Sequence, residues 1–129
     1  MANRYKRKDV LQALRTMLLE VCDTVYTTSR ETISTTKESF IIVRLSQGIR
    51  PYADTHNTSY VQIHLFAKDI ANGVESVDRE ERLIEGVTSL LPFDTELMSC
   101  NEKAVMTESR SDGMGYHSVI IQFRIIIKI

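Results

Sequence analysis

The 129-residue sequence lacks most of the features that announce a function. It has no run of about 18 apolar residues, which excludes a membrane-spanning helix. The basic residues near the start, Arg4, Lys6, Arg7 and Lys8, are followed by no apolar h-region, so no signal peptide is expected. With 16 Lys and Arg against 17 Asp and Glu, the net charge is −1 and gives no global electrostatic case for nucleic acid or an anionic membrane. Two cysteines, Cys22 and Cys100, are too few for a disulfide framework and read as packed thiols. Neither G-x-x-x-x-G-K-S/T nor G-x-G-x-x-G occurs, so those phosphate cradles are excluded. There is no internal repeat, linker or low-complexity segment. Length and composition, with 43% hydrophobic and 26% charged residues, fit one globular domain covering residues 1–129.

What is present is strongest at the C-terminal end. In 116–129 the odd positions Val119, Ile121, Phe123, Ile125, Ile127 and Ile129 form an unbroken apolar face, while Ser118, Gln122, Arg124 and Lys128 interrupt the other. A period of two with β-branched residues predicts a long central strand whose odd face supports the helices. Val10, Leu11, Leu14, Met17, Leu18 and Val21 repeat at helical spacing behind Asp9, a candidate cap. Leu83, Ile84, Val87, Leu90 and Leu91 repeat the pattern before Pro92. Asp78 with Glu81 has the spacing of a capping box, with Ser76 as a competing cap. Gly86, inside that helix, suggests a close approach to a strand.

Between the helices, strands are expected at residues 25–28, 40–45 and 60–67, with a surface excursion after the first of them. Gly48, Pro51, Asp54 and Asn57 mark 46–58 as a long hairpin loop. After Pro92, residues 104–110 read as a strand and Asp112-Gly113 as the turn into the last one. The expected class is α+β, an antiparallel or mixed sheet with two helices on one face, in the order α-β-β-β-α-β-β.

No catalytic set assembles from these elements. His56, His64 and His117 match no ligand spacing and read as structural histidines. Asp78, Glu80, Glu81 and Glu85 lie where a helix dipole favours negative charge and read as a solvated helix start. Ser109, Ser111 and Ser118 neighbour His117, yet no nucleophile-elbow sequence surrounds them. No metal or hydrolytic activity is expected.

Two blocks carry a resemblance. One is the strand, loop and helix of 59–91; the other is the glycine-containing turn and final strand of 108–127. With the leading helix and Val25-Tyr26 before a strand, their pattern and order resemble the tail-completion proteins of tailed bacteriophages and prophages, the tail terminator and head–tail joining proteins. The chain departs from the proline-rich segment such proteins often carry, having no proline at 27–39. The resemblance implies a virion structural protein, made in the host bacterial cytoplasm and forming a homo-hexameric ring at the tail end or head–tail junction. It implies partners in the tail tube or head connector, no cofactor and no catalytic residue. Nucleic-acid contact would be incidental, at Arg4, Lys6, Arg7 and Lys8. The candidate assembly surface is Arg50, Tyr52, Asp54, His56 and Asn57 of the first long loop, with Arg110, Asp112 and Met114 of the last turn. Shortening residues 50–57 is expected to leave the fold intact. A second reading is a small α+β ligand-binding or enzyme-like domain with a pocket between helices and sheet, a third a regulatory module of a bacterial operon.

Overall fold

The computed structural model describes residues 7–27, 30, 33, 36–46, 49–53, 56–71, 73–101 and 103–128. Its centre is two long antiparallel strands, β4 (His56–Lys68) and β9 (Tyr116–Lys128), paired along their whole length from His56 opposite Lys128 to Lys68 opposite Tyr116. Alternation places Val61, Ile63 and Leu65 opposite Phe123, Ile121 and Val119, and all six side chains are buried. β2 (Ser39–Leu45) pairs antiparallel with β4, and β1 (Val25–Tyr26) runs parallel outside it. On the far side of β9 lie β6 (Met98–Cys100) and then β5 (Phe93–Asp94), giving the order β1-β2-β4-β9-β6-β5. β3 (Arg50–Ala53) pairs with the start of β4, and β7 (Val105–Met106) and β8 (Arg110–Ser111) pair with β9.

The two helices cover one face, and the fold is α+β. α1 (Arg7–Leu18) buries Val10, Leu14 and Leu18, the predicted stripe. Asp9 lies within its first turn, where negative charge suits the helix dipole. α2 (Val77–Ser89) is capped by Ser76, whose hydroxyl accepts the Arg79 N–H at 3.4 Å, so the competing cap displaces the Asp78–Glu81 box. Leu83 and Val87 face the sheet. Between the layers, Leu14, Leu18, Ile63, Val87, Leu91 and Phe123 leave a hollow of about 10 Å³, lined almost wholly by apolar atoms. That is no more than the space of one water.

Gly86 does allow a close approach, but to the segment after α1 and not to a strand. A Cβ there would lie 2.5 Å from Val21 Cγ1. Gly86→Ala should therefore cost about 1 kcal/mol net, because overpacking of roughly 1–3 kcal/mol outweighs the gain in helix propensity. In a Val21→Ala background the same change should become stabilising. Urea denaturation of the four chains checks this, and equal effects in both backgrounds would contradict the contact.

Three expectations are corrected. The predicted loop 46–58 holds a strand and the beginning of β4, since residues 50 and 51 pair with 58 and 57. Pro51 is tolerated there because β3 is an edge strand with no inner ladder to break. Excising residues 50–57 would remove β3 and the buried Asn57, so that deletion is not neutral. The single strand expected at 104–110 is two strands of two residues each, separated by Thr107–Ser109. Ile33, in the stretch expected as a surface excursion, is buried on the helix-free face with Phe40, Ile42, Phe66 and Tyr116 in a second apolar cluster.

Candidate assembly surface

The last hairpin separates the residues nominated from it. Arg110 and Met114 point outward, with the Arg110 side chain 79% exposed and Met114 54% exposed. Asp112 points inward. Its Oδ1 accepts the backbone N–H of Met114 at 2.7 Å and of Tyr116 at 3.1 Å, and its Oδ2 accepts from Arg30 Nε at 3.1 Å. A turn aspartate that binds the backbone two and four residues on fixes the hairpin, and Gly113 and Gly115 supply the positive φ that the reversal needs. Asp112 is thus a structural residue.

From the first nominated segment, Arg50 is exposed on β3 and His56 half-buried on β4. Asn57 is buried, and Tyr52 lies on β3. Asp54 falls outside the described residues, as do Arg4 and Lys6, whereas Arg7 and Lys8 are exposed at the start of α1.

The sequence reading missed the apolar end of the molecule. Asp69 N–H donates to the Gly115 carbonyl at 2.9 Å, which joins the turn after β4 to the turn before β9. Ile70 and Val74 close the first turn through a backbone hydrogen bond of 2.9 Å. Around this junction Ile70 is 70% exposed, Val74 52% and Val77 53%, beside the exposed Met114. The available signal was three branched aliphatics within a segment otherwise composed as a loop.

Behind this end lies a polar cluster. His117 Nδ1 and Asp69 Oδ1 are 2.6 Å apart, with side chains only 13% and 5% exposed. The hydrogen bond to Asp69 is the largest cause of a raised His117 pKa, and the negative field of Glu75 and Glu80 adds to it. Ser109 Oγ donates to Glu80 Oε1 at 2.6 Å. Glu80 was expected among the solvated acids of the helix start, but it is buried on the inner side of α2. Burial raises its pKa, the Ser109 bond opposes this, and Glu75 raises it further. The hydroxyl of Ser109 is therefore committed to a carboxylate, and Ser111 accepts the Gly113 N–H at 3.2 Å. Among the described residues no group of three or more His, Cys, Asp or Glu is placed to hold a metal ion. His64, on the helix-free side of β4, has a buried Nε2 without a hydrogen-bond partner among the described residues, and burial followed by the charge of Arg44 lowers its pKa.

No family model and no curated protein sequence matches this chain. A solved structure, of a protein whose name is a bare sequence label, has the same fold: its TM-score is 0.63 at 11% identity, over 97% of this chain and 98% of the other.

Proposed function

We propose that the chain is a structural virion protein of a tailed bacteriophage or prophage, which forms a homo-hexameric ring at the tail end or head–tail junction. The resemblance in element order suggests this role. The observation that carries it here is the exposed apolar end formed by Ile70, Val74, Val77 and Met114. Four large exposed apolar side chains, three on two bonded turns and Val77 at the start of α2, mark a surface meant to be covered. The core gives no reason for them, since none belongs to either buried cluster. The reading of a ligand pocket between helices and sheet gains no support, because the described side chains fill that space.

The test is Ile70→Asp with Val74→Asp. Both side chains are more than half exposed, so the isolated chain should keep its stability to within roughly 0.5 kcal/mol. Light scattering should show a ring for the unmodified chain and none for this variant, and tails complemented with the variant should remain unfinished. Unchanged assembly would remove this surface from the proposal.

A further inference from the structure

The outer surfaces of the two helices carry opposite charge. On α1, Arg7, Lys8 and Arg15 are all exposed and, at about 100° per residue, fall on one flank of the helix. Asp9 falls outside that flank, about 100° past Lys8. Arg15 Nε donates to the Val25 carbonyl at 3.0 Å, which places the basic flank at the β1 edge of the sheet. An open groove of about 470 Å³ runs there, and its described lining is Arg7, Lys8, Leu11, Gln12, Arg15 and Thr27, with no carboxylate among the described residues. On α2, Asp78, Glu81 and Glu85 are exposed on the side opposite the buried Glu80, Leu83 and Val87, so they face away from the sheet. Arg82 stands beside them, and three carboxylates against one guanidinium leave the patch negative. The helix dipole accounts for Asp78, in the first turn, but not for Glu81 and Glu85 beyond it. Among the described residues none of these charged side chains of either patch forms an ion pair.

The patches match in sign and in length. From Arg7 to Arg15 a helix rises about 12 Å, and from Asp78 to Glu85 about 10 Å. They point in different directions, one along the sheet edge and one off the back of the helix layer. A patch that meets a different patch on the next copy makes a head-to-tail contact, which closes into a ring where its rotation allows. We propose that the α1 groove of one copy receives the acidic outer face of α2 from a second copy. The inference rests on the ring reading and names a contact within it. Exposed ion pairs are individually weak, so the charges orient the copies while the apolar end contributes burial.

Two chains test this. In one, Arg7→Glu, Lys8→Glu and Arg15→Glu make both patches acidic; in the other, Asp78→Lys, Glu81→Lys and Glu85→Lys make both basic. Each alone should assemble at least roughly 100-fold more weakly than the unmodified chain, because like charges then face each other. Mixed in equal amounts, they should regain the mass of the unmodified ring by light scattering. Each patch again meets its opposite, and an even-numbered ring closes with alternating copies. A general loss of stability could not be repaired by mixing. A reversed chain that assembles alone as the unmodified chain does would overturn the inference and leave the ring reading standing. So would a mixture that stays unassembled while the unmodified chain forms its ring. An unmodified chain that is monomeric at every concentration would overturn both. Should either reversed chain be unfolded by circular dichroism, a milder pair is mixed instead: Arg7→Glu with Lys8→Glu, and Glu81→Lys with Glu85→Lys. These spare the Arg15 bond to Val25 and the first turn of α2, and the same outcomes apply.

Discussion

Phe123→Ala should lower the unfolding free energy by about 3–5 kcal/mol, a large fraction of what a domain of this size has. Phe123 sits near the middle of β9, 4% exposed, opposite Val61 of β4. It lines the interlayer hollow with Leu14 and Leu18 of α1 and Val87 of α2, and meets the Phe93 ring edge-on at 6.1 Å. One truncation therefore loosens both helices and the short β5–β6 flank together. Little relief by collapse is expected, because β9 is paired on both edges and cannot shift. Chemical denaturation with an unchanged m-value should report the loss. A loss below about 1 kcal/mol would contradict the placement of the odd face inward.

Asp69→Asn should cost about 3 kcal/mol near pH 6, the scale expected when one partner of a buried charged pair is removed. It should cost clearly less near pH 9. The sign follows from His117, whose pKa is raised above 6.5 in the folded chain, chiefly by its bond to Asp69. A raised pKa means that the folded state binds the proton more tightly than the unfolded state does. The pair's contribution is thus fully present below the unfolded value and fades as pH climbs through the folded one. Glu80, also raised, changes stability in the same direction from the carboxylate range upward. His64, lowered by burial and by Arg44, acts oppositely, its contribution being lost as pH falls. His117→Ala should flatten the dependence above neutrality. A cost for Asp69→Asn that is equal near pH 6 and pH 9 would contradict the link between this bond and the protonation of His117.

How far such features can be read from residues depends on period and length. β9 was legible because thirteen residues repeat a two-residue pattern, and α1 and α2 because three turns repeat a helical one. β5 to β8 were not, since strands of two or three residues have no period to detect. β3 and the first residues of β4 were hidden by Pro51, Asp54 and Asn57, residues that ordinarily mark loops, although β3 carries its proline at an edge. The inward Asp112 and its bond to Arg30 could not be read. The partners lie 82 residues apart, and a lone arginine in a threonine-rich stretch carries no pattern. The apolar end was legible in composition but was passed over, because a turn built around Asn72-Gly73 does not of itself say which side chains face solvent.

The claim most exposed is that this domain acts by assembling. The direct measurement is the mass of the purified chain by light scattering across a wide concentration range, joined with electron microscopy of the same sample. Ring formation predicts one closed species of six copies, seen end-on as an annulus and lost in the Ile70→Asp, Val74→Asp chain. A monomer at every concentration, both alone and mixed with tail tubes, would contradict it.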